Sequence, residues 1–115
     1  MSSPAGTYNI ICDQGATFQR QITWNDTNGD PVDLTGYTAR MQVRPTTDST
    51  TLTLELTTGN NRITLGGAAG TIELLVAASV MTMAGDFVYD LELVSGTIVT
   101  RLVEGFFTVR AEVTR

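Results

Sequence analysis

Histidine and lysine are both absent from this 115-residue chain, and each absence narrows its chemistry. Without histidine, the usual general base at neutral pH and the commonest metal ligand are missing. All seven basic residues are arginine, set against twelve acids, and the net charge of −5 is spread along the sequence. No nucleic-acid footprint is expected from such a distribution. The one cysteine, Cys12, excludes an intrachain disulfide, and its apolar neighbours predict a buried structural thiol. The longest apolar run falls far short of the ~20 residues of a spanning helix. The start, MSSPAGTYNI, has neither the basic nor the apolar region of a signal peptide. A soluble chain made in a cytosol is expected, without enzymatic activity, cofactor, metal or membrane partner.

What the chain has in quantity is threonine, twenty in all. Threonine is stiff at χ1 and fits a pleated surface, so strand is favoured over helix. The stretch GDFVYDLELVSGTIVTRLVEGFFTV organises the rest. Phe87, Tyr89, Leu91 and Leu93 alternate with Val88, Asp90, Glu92 and Val94, and Ser95-Gly96 supplies a tight turn. A long antiparallel hairpin follows. Gly105 lies where the apolar alternation changes phase, which predicts a β-bulge there. A second clean strand sets Tyr37, Ala39, Met41 and Val43 against Thr38, Arg40, Gln42 and Arg44.

Shorter strands are predicted over residues 8–12, 16–24, 51–57, 62–65 and 71–76. Arg20 interrupts the apolar face of Phe18, Ile22 and Trp24; it snorkels to the sheet edge or pairs with a carboxylate. AASVMTM, residues 77–83, predicts one helical turn over an end of the fold. Residues 1–7 read as a flexible arm and 8–115 as a single domain. The expected fold is all-β, an immunoglobulin-like antiparallel β-sandwich of about seven or eight strands with one short helical turn.

Three motif readings fail on spacing or context. NDTNGDP, residues 25–31, alternates Asp26, Asn28 and Asp30 as a calcium loop would. Its glycine is fourth rather than sixth, however, and the twelfth position is Tyr37. GGAAG, residues 66–70, lacks the spacing and the following helix of a phosphate-cradling loop. Asp90 and Glu92 share a strand face, but no aromatic cleft surrounds them to make a glycosidase pair.

One series of segments carries a family resemblance: DQGATF, then W-x-D-x-x-G-x-P-x-DLTGYTARMQVR, the glycine-opened strand GDFVYDLELV, and an EG-x-x-x-V ending. It resembles the amino-terminal domain of baseplate upper proteins of tailed bacteriophages and short stand-alone virion proteins, over residues 8–113. The resemblance implies a β-sandwich that packs by faces and edges onto other virion proteins and onto copies of itself, as a homo-oligomer in a symmetric assembly. The implied localisation is the virion, after synthesis in the host bacterial cytoplasm. No carboxy-terminal fibre or receptor-binding domain is expected, which favours an adaptor, decoration or connecting role over direct host recognition; a tail, baseplate or fibre-attachment component is the preferred reading. Capsid decoration or another head-associated role is the alternative, and a carbohydrate- or ligand-binding sandwich is the alternative of another class.

Under that resemblance Leu34 plugs the sandwich end and Gly36 lets the chain turn sharply behind it. Trp24, Tyr37, Met41, Tyr89 and Leu91 form the core. Arg40, Arg44, Arg101 and Arg110 are the partner-facing candidates, together with both terminal arms. Because lysine is absent and Pro4, Pro31 and Pro45 fall outside the strands, edges such as Thr51 to Thr57 look poorly guarded. Capping by a neighbouring subunit is the expected remedy.

Overall fold

The computed structural model describes residues 6–114. Period-two patterning yields nine strand segments among them. They are β1 (Gly6–Thr7), β2 (Ile10–Asp13), β3 (Phe18–Thr23), β4 (Thr38–Arg44), β5 (Leu54–Thr57), β6 (Ile63–Leu65), β7 (Thr71–Val76), β8 (Gly85–Ser95) and β9 (Ile98–Arg110). Two one-turn 3-10 helices interrupt them, Gly67–Ala69 and Ala78–Val80. The second is the turn expected after residue 77; the first occupies the GGAAG segment.

The strands form two stacked sheets. The larger runs β1–β9–β8–β4–β5, with β2 continuing the β1 edge along β9, and the smaller runs β3–β7–β6. Every pairing is antiparallel except at that edge, where β1 and β2 both run parallel to β9. Of the expected arm, Gly6 and Thr7 are thus strand residues opposite Val103 and Glu104, while residues 1–5 lie outside the described part of the chain.

Inward positions of both sheets build one core. Met41, Val43, Leu56, Leu91, Leu93 and Phe107 from the larger sheet face Phe18, Ile72, Leu74 and Val76 from the smaller, all essentially inaccessible to solvent. Each such side chain contributes roughly 1.5–3 kcal/mol of burial. Phe18 and Tyr89 each meet Phe107 edge to face, with centroids 5.3 Å and 6.2 Å away. Cys12 is buried, its thiol directed at the Thr108 carbonyl, and burial pushes that thiol up from its ordinary pKa.

Leu34, 2% exposed, closes one end. Its N–H donates to the Gly67 carbonyl at 2.9 Å, and its carbonyl accepts from Tyr37 at 2.9 Å across a turn whose third residue is Gly36, at φ +84°. A type II turn requires that positive φ. Trp24 and Tyr37 meet edge to face at 6.0 Å beside the core, half-buried rather than inside it. Met81 closes the opposite end, its carbonyl accepting from Gly15 at 2.8 Å.

Two further expectations need correction. The bulge lies at Leu102, not Gly105: Leu91 faces Val103 while Glu92 faces Arg101. The extra residue lets Leu102 and Val103 both pack against the core. Gly105 pairs regularly with Tyr89, and its missing side chain serves a close approach instead. A β-carbon there would lie 2.7 Å from both the Tyr8 carbonyl oxygen and Asn9 Oδ1. The break between β1 and β2 crosses Gly105, and the Tyr89 hydroxyl donates to the Tyr8 carbonyl.

The second correction concerns edges. The free side of β5 is capped from within the chain. The Thr57 N–H donates to Asn60 Oδ1 at 2.9 Å, and the Glu55 carbonyl accepts from Asn60 Nδ2 at 3.1 Å and Arg62 Nη1 at 2.9 Å. The Asn60 amide thereby stands in for a residue of a missing neighbouring strand. On the opposite edge, Arg20 donates to the carbonyls of Ile11 at 2.6 Å and Gln19 at 2.9 Å. Its guanidinium lies 5.3 Å from the Phe18 ring centre. It snorkels, and it tethers the edges of both sheets.

Candidate functional site

The outer face of the larger sheet gathers most of the polar chemistry. Because β4, β8 and β9 lie side by side, with the bulge at Leu102 as the one shift between β8 and β9, outward residues fall into cross-strand rows. Arg40, Glu92 and Arg101 form one row; Gln42, Asp90 and Glu104 form the next; Arg44, Val88 and Phe106 form a third. Three of the four predicted arginines therefore share a face. Arg110 lies apart, at the end of β9, bonded to Asp13 at 2.7 Å.

These arginines are already engaged within the chain. Arg40 Nε lies 2.8 Å from Glu92, while Arg101 lies 3.4 Å from Asp90 and 3.8 Å from Glu92. Arg44 donates to Gln42 Oε1 at 2.8 Å and to the Ser49 carbonyl at 3.2 Å. Solvent-exposed pairs of this kind contribute below about 1 kcal/mol each, so their main effect is to hold the side chains in fixed positions.

Acids of like charge face each other beside them, with Asp90 directly opposite Glu104. Burial, and then the nearby Glu92, raise the Asp90 pKa above the ordinary carboxylate value, opposed in part by Arg101. The Glu104 carboxylate has no hydrogen-bond or ion-pair partner among the described residues. The rows of Asp90 and Phe106 floor a groove of about 470 Å³, walled by Thr46 and Thr47 on one side and by Thr7 and Asn9 on the other. Phe106 presents 61% of its surface to solvent there. Asn9 is fixed there by accepting from the Phe106 N–H at 3.0 Å.

Sequence reasoning missed this groove, because Thr7 and Asn9 come from the opposite end of the chain. One signal was available: in the doublet Phe106-Phe107 a strand's alternation must send one ring outward. The other candidates are structural. Asp26 Oδ1 accepts from the N–H groups of Asn28 and Asp30 at 2.9 Å and 3.0 Å, so the calcium-like loop is a self-bonded hairpin turn. No cluster of three potential metal-ligating side chains occurs among the described residues. No helix among them is long and apolar enough to cross a membrane.

The fold and face define a β-sandwich module with a polar groove on its larger sheet. No protein-family model matches the chain, and no curated protein matches it.

Proposed function

We propose that this chain is a non-enzymatic structural component of a tailed-bacteriophage virion, an adaptor of the tail, baseplate or fibre-attachment region present in several copies. The observation that supports the reading is where the family-like segments fall: they supply strands β4 and β8 of the larger sheet together with the turns that join the sandwich. In DQGATF, Gln14 donates to the Thr82 carbonyl and accepts from the Glu112 N–H, tying the β2–β3 turn to both neighbouring segments. In DLTGYT, Leu34 plugs one end and Gly36 turns behind it. Gly85 opens β8 at φ +126°, and EG places Gly105 under the first strand. Segments that build the larger sheet and its joints belong to a scaffold, and a scaffold's work is to present its faces.

In this reading the larger sheet's outer face, with Arg40, Arg44 and Arg101, meets other virion proteins or further copies of the chain. Mass spectrometry of purified particles, followed by a cryo-EM map, tests it. The protein should appear in stoichiometric amounts, as a ring or collar on the tail. Its absence from purified particles would overturn the proposal; density on the capsid lattice would replace the adaptor role by decoration.

A further inference from the structure

We propose that the groove on the larger sheet binds a neutral saccharide, stacked on Phe106 and hydrogen-bonded by Asp90, Glu104 and Arg44. This reading does not rest on the virion assignment, since it follows from the groove alone.

Charge balance selects the ligand class. Two guanidiniums, of Arg44 and Arg101, and two carboxylates, of Asp90 and Glu104, line the same space, so neither a polyanion nor a polycation is favoured. The polar groups are planar acceptors and donors interleaved with hydroxyls. A carboxylate accepts at two oxygens and a guanidinium donates along a fixed fork. Neighbouring sugar hydroxyls, each donor and acceptor at once, match that alternation. Phe106 and Val88 lie directly opposite each other in the ladder and offer an apolar platform for the C–H face of a pyranose. The volume lies within the range of small-ligand pockets.

The cost of the arrangement argues in the same direction. Asp90 and Glu104 repel across the ladder, and like charges directly opposite destabilise a sheet. Val or Thr would suit either position as strand residues. A hydroxyl pair donating to both carboxylates relieves that repulsion, and Glu104, unlike the Arg101-paired Asp90, gains from a ligand the partner it lacks among the described residues. Arg44, held by Gln42 and the Ser49 carbonyl, and Asn9, held by Phe106, are positioned before any ligand arrives, which lowers the ordering cost of binding.

The test uses the full chain on an array of neutral, amino and anionic oligosaccharides, with bound glycans followed by titration calorimetry. Binding to neutral oligosaccharides is expected, with affinity falling at least about tenfold, or roughly 1.4 kcal/mol, in Phe106→Ala and in Glu104→Ala. Both side chains are exposed, and thermal unfolding of the variants confirms that the fold is kept. Failure of every neutral glycan at millimolar concentration overturns the proposal. So does binding confined to anionic glycans, or binding that survives both substitutions. A negative array with the protein present in particles leaves the virion reading intact; the converse result separates them the other way.

Discussion

Gly105→Ala tests how the first strand is seated on the hairpin. The added β-carbon falls 2.7 Å from the Tyr8 carbonyl oxygen and 3.1 Å from its carbonyl carbon. These are main-chain atoms, so relief requires moving the strand. Three bonds then suffer: Tyr8 N–H to the Glu104 carbonyl at 2.9 Å, Phe106 N–H to Asn9 Oδ1 at 3.0 Å, and the Tyr89 hydroxyl to the Tyr8 carbonyl. Overpacking costs about 1–3 kcal/mol, and a buried hydroxyl left without its acceptor costs about 1–3 kcal/mol more. The expected loss is on the order of 2–6 kcal/mol. That corresponds to a fall in Tm on the order of 10 °C for a domain of this size. Urea unfolding followed by circular dichroism measures it. Tyr89→Phe separates the two contributions, removing only the hydroxyl bond at about 1 kcal/mol. The double variant should lose less than the sum, since both act through the position of Tyr8. A Gly105→Ala protein within about 0.5 kcal/mol of the parent would refute the close approach.

At Gly36 the requirement is conformational instead of steric: φ is +84°, and nothing lies within 4 Å of the place a β-carbon would take. Gly36→Val should cost about 1–3 kcal/mol, and an unchanged melting temperature would remove the turn from the account. Asp90 gives a pH dependence of known sign. Its pKa is raised by folding, so the native state binds more protons and stability declines as pH rises from the ordinary carboxylate range through the raised value. Asp90→Asn should therefore be more stable than the parent at pH 7, with the advantage shrinking below about pH 4; urea midpoints at the two pH values check this. Asn60→Ala strips the cap from Thr57 and Glu55, and light scattering should show concentration-dependent self-association, while a strictly monomeric variant would deny the cap its guarding role.

The fold was legible wherever one face of a strand is buried. Tyr89, Leu91 and Leu93 alternate with charged or branched residues because the sandwich has one inside, and a period of two reports that directly. Leu34 and Gly36 were legible through the resemblance, and the positive φ of Gly36 gives its part a physical reason. Gly105 was misread because sequence shows a phase change without showing its origin: Leu102 supplies the extra residue, and a neighbouring glycine is the more conspicuous feature. The parallel pairing of β1 and β2 with β9, and the groove it helps to wall, join residues almost a chain length apart, and local periodicity carries no information on that. The edge caps were hidden for another reason. Asn60 reads as a turn residue and Arg62 as the start of a short strand, and only the structure shows that their side chains reach the free groups of β5.

Those caps bear on how such a domain associates. Lysine, the common guard of exposed edges, is absent, and arginine takes its place in a more specific way. A guanidinium offers several donors in a fixed fork, so Arg20 satisfies carbonyls of β2 and β3 together, and Arg62 shares the Glu55 carbonyl with Asn60. With these main-chain groups taken, strand addition at either edge of the larger sheet would first have to break bonds made within the chain. The face has no such barrier. Its arginines are paired but exposed, the Glu104 carboxylate is free among the described residues, and Phe106 and Ile11 present 61% and 59% of their surface to solvent. In the proposed role, recognition falls to the face of the larger sheet, because the Asn60, Arg62 and Arg20 side chains already occupy main-chain groups that edge-to-edge pairing would need.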